Sequence, residues 1–109
     1  MTVEGPHIQE IRQLHDALSG ELNRTPVVRC AALETVVGGD TVITAKLEFL
    51  QRTGTFKARG ALGTLRGLSP AQLEAGVTAV SAGNHAIATA FAARAMGTTA
   101  RVVMIRSAN

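Results

Sequence analysis

One lysine of this chain, Lys57, stands where its position would change its chemistry. The β-branched stretch over residues 41–48 predicts a strand, and residues 55–68, which follow Gly54, predict a helix. A cation in the first helical turn lies beside unpaired N–H groups and the positive end of the helix dipole, which favours the neutral amine. A neutral lysine amine attacks carbonyl groups and forms a Schiff base. On position alone, a solvated lysine is the more common interpretation of Lys57, because charged side chains are mostly exposed.

A second candidate is the segment 81–86, which reads Ser-Ala-Gly-Asn-His-Ala and joins a predicted strand to a predicted helix. Backbone N–H groups converge at such a turn, and the helix dipole favours an anion there. A carboxylate would suit this turn, since Gly83 permits close approach and the Asn84 amide can donate a hydrogen bond. Taken alone, the segment is also compatible with an ordinary capped helix start, and His85 with a residue packed locally.

The elements that must position these candidates follow from periodicity and from turn residues. Apolar residues at helical spacing predict a first, amphipathic helix that ends at Gly20. Ser69 and Pro70 predict the start of a short helix, and Gly97 predicts the end of a helix over residues 84–96. Further strands are predicted at residues 27–30, 77–80 and 100–105.

Strands that alternate with helices over short connections predict parallel pairing and an α/β fold, a layered parallel sheet with flanking helices. In such sheets ligands collect at the carboxyl ends of the strands. We therefore expect Lys57 and residues 81–85, each of which follows a strand, to meet at one edge of the sheet.

Length and composition limit the class of protein. The 109 residues make at most one domain, over residues 1–109. The 11 basic and 8 acidic residues are dispersed, and only three Phe and no Trp or Tyr are present, so we expect no nucleic-acid partner. Cys30 is the only cysteine, no apolar run reaches membrane-spanning length, and no ligand set for a metal is formed. These features predict a soluble cytoplasmic protein without a membrane or metal partner.

Two segments together resemble one enzyme family. Residues 46–61, KLEFLQRTGTFKARGA, resemble the cofactor-lysine segment of threonine and serine dehydratases, which are fold-type II pyridoxal-phosphate enzymes. Residues 81–86 resemble the substrate-binding turn of the same family. Both motifs occur in the family's order and at about its spacing, and the likeness runs from about residue 24 to residue 104. The resemblance implies the N-terminal part of a tryptophan synthase β-like fold.

The resemblance also implies a role for individual residues. Lys57 would bond pyridoxal 5'-phosphate and act as the catalytic base, Phe56 would pack beside the cofactor ring, and Asn84 would contact the ring hydroxyl oxygen. The substrate would bind to Ser81, Ala82, Gly83, Asn84 and His85. The implied reaction converts a β-hydroxy amino acid of the threonine or serine type to a 2-oxo acid and ammonia.

Two departures from the family pattern qualify this implication. Ile87 stands where many members have Gln, and Ile105 where the strand exit often carries Pro. In serine racemases, which the chain also resembles, the position of Ala82 carries a serine that serves the second face of the cofactor. Ala82 therefore favours dehydration over racemisation.

Parts of the family's site have no counterpart in these residues, namely the glycine-rich phosphate loop and the polar residue that faces the pyridine nitrogen. We therefore expect an N-terminal part of the enzyme that is inactive alone and homo-oligomeric when complete. Two alternatives stay open. One is another fold-type II activity, of the racemase, threonine synthase or cysteine synthase type, and the other is a truncated non-catalytic module.

Overall fold

The structure, a computed structural model, describes residues 5–107. The helices are α1 (Ile8–Ala17), α2 (Ala31–Val37), α3 (Lys57–Arg66), α4 (Pro70–Ala75) and α5 (Asn84–Ala95). The strands are β1 (Val27–Arg29), β2 (Thr44–Lys46), β3 (Val77–Val80) and β4 (Ala100–Val103), and a 3₁₀ turn spans Glu48–Leu50. The predicted α/β class is confirmed, because strands and helices alternate along the chain. Within residues 5–107, every helix is too short or too polar to cross a lipid bilayer.

The strands form two separate pairs. β3 and β4 are parallel, with Val77 opposite Ala100, and α5 connects them as predicted. β1 and β2 are antiparallel, with Val27 opposite Lys46. The predicted parallel pairing therefore does not extend to β2, and the two motifs do not meet at one edge of one sheet. The reason is local, because α2 and the glycine turn after it reverse the chain and return β2 alongside β1.

Helix α2 was not predicted from the sequence. Its N-cap residue, Cys30, makes no side-chain cap, and none of its residues is buried. A carboxylate of α2 connects the helix to neighbouring segments: Glu34 accepts hydrogen bonds from Arg29 Nε at 2.9 Å and from the Ile43 N–H at 2.9 Å. The helix is therefore tied to its neighbours by polar contacts over five and nine positions of the chain, which neither capping residues nor an apolar stripe could indicate.

The core lies mainly between α3 and α5, which pack extensively against each other. Leu62 and Leu65 of α3 contact Ala92 and Ala93 of α5, and Leu18 after α1 completes the buried cluster. The alanines allow close approach of the two helices, since their side chains are small. This packing holds the helix that begins with Lys57 against the helix that follows the second motif.

We expect Gly76→Ala to destabilise the protein, because Gly76 has a positive φ and lies close to the backbone of Thr99. Gly76 has φ 82° and ψ 176°, a region that side-chain-bearing residues enter at a cost of roughly 1–3 kcal/mol. A Cβ there would also lie 3.1 Å from the Thr99 carbonyl oxygen, a backbone atom that cannot easily move. Gly38→Ala is the matched control, because Gly38 has φ 77° and ψ −178° but no atom within 4 Å of its Cβ position. Urea unfolding should show the larger loss for Gly76→Ala, and equal losses would contradict the steric argument.

Candidate active site

Lys57 is the first residue of α3, so it lies in the first turn as predicted although the helix begins two residues later than expected, and the residue is partly buried. The chain enters the helix through Gly54, whose φ of 71° glycine adopts without strain. Phe56, the N-cap residue, makes no side-chain hydrogen bond to the helix, and the first turn contains no acidic residue. The first turn of α3 therefore supplies no carboxylate to compensate the positive end of the helix dipole.

A cavity of about 780 Å³ lies beside this amine. Its walls come from α3, α4, β3 and the first turns of α5, and they are mainly apolar. Of the predicted site residues, Lys57, Phe56 and His85 line it, together with the hydroxyl-bearing Thr89. An apolar cavity of this size with a few polar groups is typical of a site for a cofactor or a small ligand.

The rest of the second motif forms an exposed turn next to this cavity rather than part of its lining. The Ser81 N–H donates to the Val103 carbonyl at 3.0 Å, and Ser81 Oγ accepts from the Gly83 N–H at 3.2 Å. Ala82 is exposed, and so is Asn84, the first residue of α5. The structure therefore brings His85 to the cavity of Lys57 and leaves Ser81, Ala82, Gly83 and Asn84 at its margin.

Thr55, two residues before Lys57, lies outside the lining of this cavity. Its Oγ1 is buried and has no hydrogen-bond partner within the protein. Leaving such a group unpaired costs about 1–3 kcal/mol. The N-terminus of α5 likewise has no capping side chain and no acidic residue in its first turn. The uncapped N-terminus of α5, the cavity and the Lys57 amine together fit an anionic cofactor that bonds a lysine.

A charged network beside Lys57 was missed by the sequence analysis. Arg59 donates from Nε to Glu48 Oε2 at 2.8 Å and from an Nη to Glu48 Oε1 at 2.8 Å. The Thr25 hydroxyl donates to the same carboxylate, and Lys46 Nζ lies 3.9 Å from it while donating to the Thr25 carbonyl at 3.0 Å. Lys46, Glu48 and Arg59 all belong to the segment 46–61. The placement of charged residues within this motif was therefore the sequence signal that could have indicated the network.

The network predicts that part of the stability is lost in acid. The hydrogen bonds from Arg59 lower the pKa of Glu48 from 4.5 to about 2, against the opposing effect of burial. Because the folded pKa lies below the unfolded one, this stabilisation is present above about pH 4.5 and is lost as the pH falls toward 2. The shift corresponds to at most about 3 kcal/mol, and the Glu48 side chain is 18% exposed.

Urea unfolding at a series of pH values would measure this contribution. The difference in free energy of unfolding between the unaltered protein and Glu48→Gln should be largest above pH 5 and should shrink toward pH 2. Glu74→Gln, at an exposed position of α4, is the control for removing a carboxylate. A difference that does not change with pH would contradict the assigned role of Glu48.

Comparisons with known proteins agree with these features. A family model described as pyridoxal-phosphate dependent enzyme matches residues 18–109. The chain is 46% identical over 104 residues to phenylserine dehydratase of Ralstonia pickettii, a match that covers 95% of this chain and 31% of that protein. It is 40% identical over 101 residues to L-threonine ammonia-lyase of Thermotoga maritima, covering 93% of this chain and 25% of that protein.

Among solved structures, maize serine racemase is similar, with a TM-score of 0.83 and 34% identity over 95% of this chain and 32% of that chain. The chain thus spans about a third or less of the length of these relatives. The similar proteins include both ammonia-removing enzymes and a racemase.

Proposed function

Because the chain belongs to the family of pyridoxal-phosphate dependent enzymes, we propose that it carries the reactive lysine of an enzyme that dehydrates and deaminates a β-hydroxy amino acid. Lys57 is the proposed catalytic residue. The observation that carries the proposal is its position at the start of α3, on the wall of a cavity of about 780 Å³ that His85 also lines. The names of two relatives, phenylserine dehydratase and L-threonine ammonia-lyase, support this class of reaction.

Lys57 has two proposed tasks, to bond the cofactor and to remove the proton from the substrate Cα through its Nζ. Pyridoxal phosphate, when bound, supplies the capacity to hold the electron pair released at that carbon. Loss of the β-hydroxyl as water, followed by addition of water and release of ammonia, balances the reaction and leaves the 2-oxo acid. A base held at the start of a packed helix suits this reaction because its position is fixed by the backbone.

The other predicted residues have supporting roles in this proposal. Phe56 is 61% exposed on the cavity wall, so its ring is available to pack beside the cofactor ring. The turn of Ser81, Ala82, Gly83 and Asn84 at the N-terminus of α5 would receive the substrate carboxylate, because its N–H groups face a region that favours an anion.

Product analysis tests the proposal. The holoenzyme should be incubated with L-threonine, L-serine and a phenyl-substituted β-hydroxy amino acid, and 2-oxo acid and ammonia should be measured separately. Equal amounts of both products are expected. Formation of the D-amino acid without 2-oxo acid would favour the racemase alternative, to which the likeness to maize serine racemase points. Absence of any turnover by a protein that holds the cofactor would favour the non-catalytic module.

Several features stay predictions from the sequence. They are the substrate side chain, homo-oligomer formation, the cytoplasmic location, the single-domain boundary and the inactivity of these 109 residues alone. Cofactor titration of the isolated chain tests the last of these, and a stable complex of defined stoichiometry would contradict it.

A further inference from the structure

We propose that Arg59, held by Glu48, is a positioning residue that sets where the Lys57 amine lies along the cavity wall. This inference rests on the proposed function of Lys57. Its basis is the ion pair that joins the first turn of α3 to the segment just after β2.

Helix α3 is held differently at its two ends. Leu62 and Leu65, which contact α5, lie in the second and third turns of the helix, beyond its reactive end. In the first turn, Ala58 is buried and Arg59 supplies side-chain hydrogen bonds. No side chain caps this end of α3. The orientation of the first turn therefore depends on the packing of Ala58 and on the hydrogen bonds of Arg59.

Arg59 is itself held in place by a carboxylate. Its guanidinium contacts both oxygens of Glu48, and such a two-point contact fixes angle as well as distance. Glu48 is itself held by the Thr25 hydroxyl, and Lys46 binds the Thr25 carbonyl. The anchor is thus built into the β1–β2 pair and the residues beside it, so a displacement of Glu48 would displace the first turn of α3.

The hydrogen bonds of Arg59 favour a positioning role over ligand binding. Arg59 lines the cavity of Lys57, and a free arginine there would be a candidate for binding an anion. Its Nε and one Nη, however, are taken up by Glu48, and that Nη also lies 3.3 Å from the Thr25 hydroxyl. The paired carboxylate compensates its charge, so the geometry assigns Arg59 to holding the helix.

A matched control lies at the other end of the same helix. Arg66 in the last turn of α3 forms an ion pair with Glu21. The two pairs both tie α3 to an earlier segment, but only the pair of Arg59 lies in the turn that carries Lys57. If replacing Arg59 and replacing Arg66 lower activity equally, the two ion pairs serve general stability. If only the replacement of Arg59 lowers activity, its ion pair positions the lysine.

The experiment compares Arg59→Met, Arg59→Lys, Glu48→Gln and Arg66→Met in the holoenzyme. For Arg59→Met we expect kcat to fall about a hundredfold with little change in KM, because a displacement of about 1 Å at a reacting group can cost this much. Arg59→Lys should recover part of the loss, since it restores the charge without the two-point contact. Arg66→Met should keep kcat within about twofold of the unaltered enzyme, as expected for a partly exposed ion pair.

A second readout is independent of turnover. Pyridoxal phosphate is added to cofactor-free protein, trapped with borohydride at timed intervals, and the label on Lys57 is quantified by peptide mapping. The rate of labelling should fall with kcat in the Arg59 and Glu48 variants and should stay unchanged in Arg66→Met. If Arg59→Met does not fold, Glu48→Gln tests the inference in its place, because this substitution preserves the shape of the side chain and removes its charge.

Two outcomes would overturn the inference. One is equal loss in Arg59→Met and Arg66→Met, and the other is an unchanged labelling rate and kcat in Glu48→Gln. Failure of the proposed function would differ from both, because the unaltered enzyme would then carry the label on Lys46 or form no product. If the label is on Lys57 and the Arg59 and Glu48 variants keep their kcat and labelling rate, the proposed function stands but Arg59 has no positioning role in it.

Discussion

Replacing Lys57 by Ala is expected to lower kcat for deamination by at least about a thousandfold. A positioned base contributes about 10²–10⁴-fold, and Lys57 is also the residue proposed to bond the cofactor, so one substitution removes both contributions. Lys57→Arg should be as inactive, because a guanidinium stays charged and cannot accept the proton. Formation of 2-oxo acid, followed under saturating substrate and cofactor, measures the effect.

The second lysine of the chain provides a control for this prediction. Lys46 is the other lysine of the chain, and its Nζ is engaged with the Thr25 carbonyl and lies 3.9 Å from Glu48. Lys57 faces the cavity. Borohydride reduction and peptide mapping should therefore place the pyridoxyl label on Lys57, and Lys46→Arg should leave it there. A label on Lys46, or full activity in Lys57→Ala, would refute the assignment.

Local signals in the sequence account for the parts of the fold that were predicted well. Ser69 caps α4 as expected, and its partner Gln72 completes a capping box. Gly97, with φ 67°, follows the end of α5, and β3 covers the residues predicted for it. Lys57 begins α3 because Gly54 and the residues after it define a helix start. In each case the determining residues lie within a few positions of the feature.

Contacts between distant residues account for what was missed. The Glu48–Arg59 pair joins residues in different elements, and the Thr25 hydroxyl reaches Glu48 across 23 positions of the chain. No periodicity reports such pairs, because their partners are chosen by the fold. For the same reason, the sequence placed the whole second motif beside Lys57, whereas the packing of α5 on α3 brings only His85 to the cavity wall. The antiparallel pairing of β1 with β2 also depends on α2, which has no local signal.

Ala82→Ser is expected to raise racemisation relative to deamination by tenfold or more. Racemisation requires a proton donor on each face of the cofactor plane, and Lys57 can serve only one face. Ala82 offers a methyl group, and the oxygen of its neighbour Ser81 is held within the turn by the Gly83 N–H at 3.2 Å. A new hydroxyl at position 82 would supply the missing donor, although without the full contribution of about 10²–10⁴-fold that a well-placed acid makes. Chiral chromatography of the amino acid remaining after partial turnover of L-serine measures the D-enantiomer.

The pair Ala82→Thr and Ala82→Val separates proton donation from a change of shape at this turn. The two side chains are close in size, but only Thr carries a hydroxyl, so racemisation should increase in Ala82→Thr and not in Ala82→Val. Since residue 82 is exposed and lies outside the core cluster, neither variant should greatly change stability. Rapid formation of D-serine by the unaltered enzyme would defeat this argument. The second donor would then have to come from another residue, and the likeness to maize serine racemase would extend to the reaction.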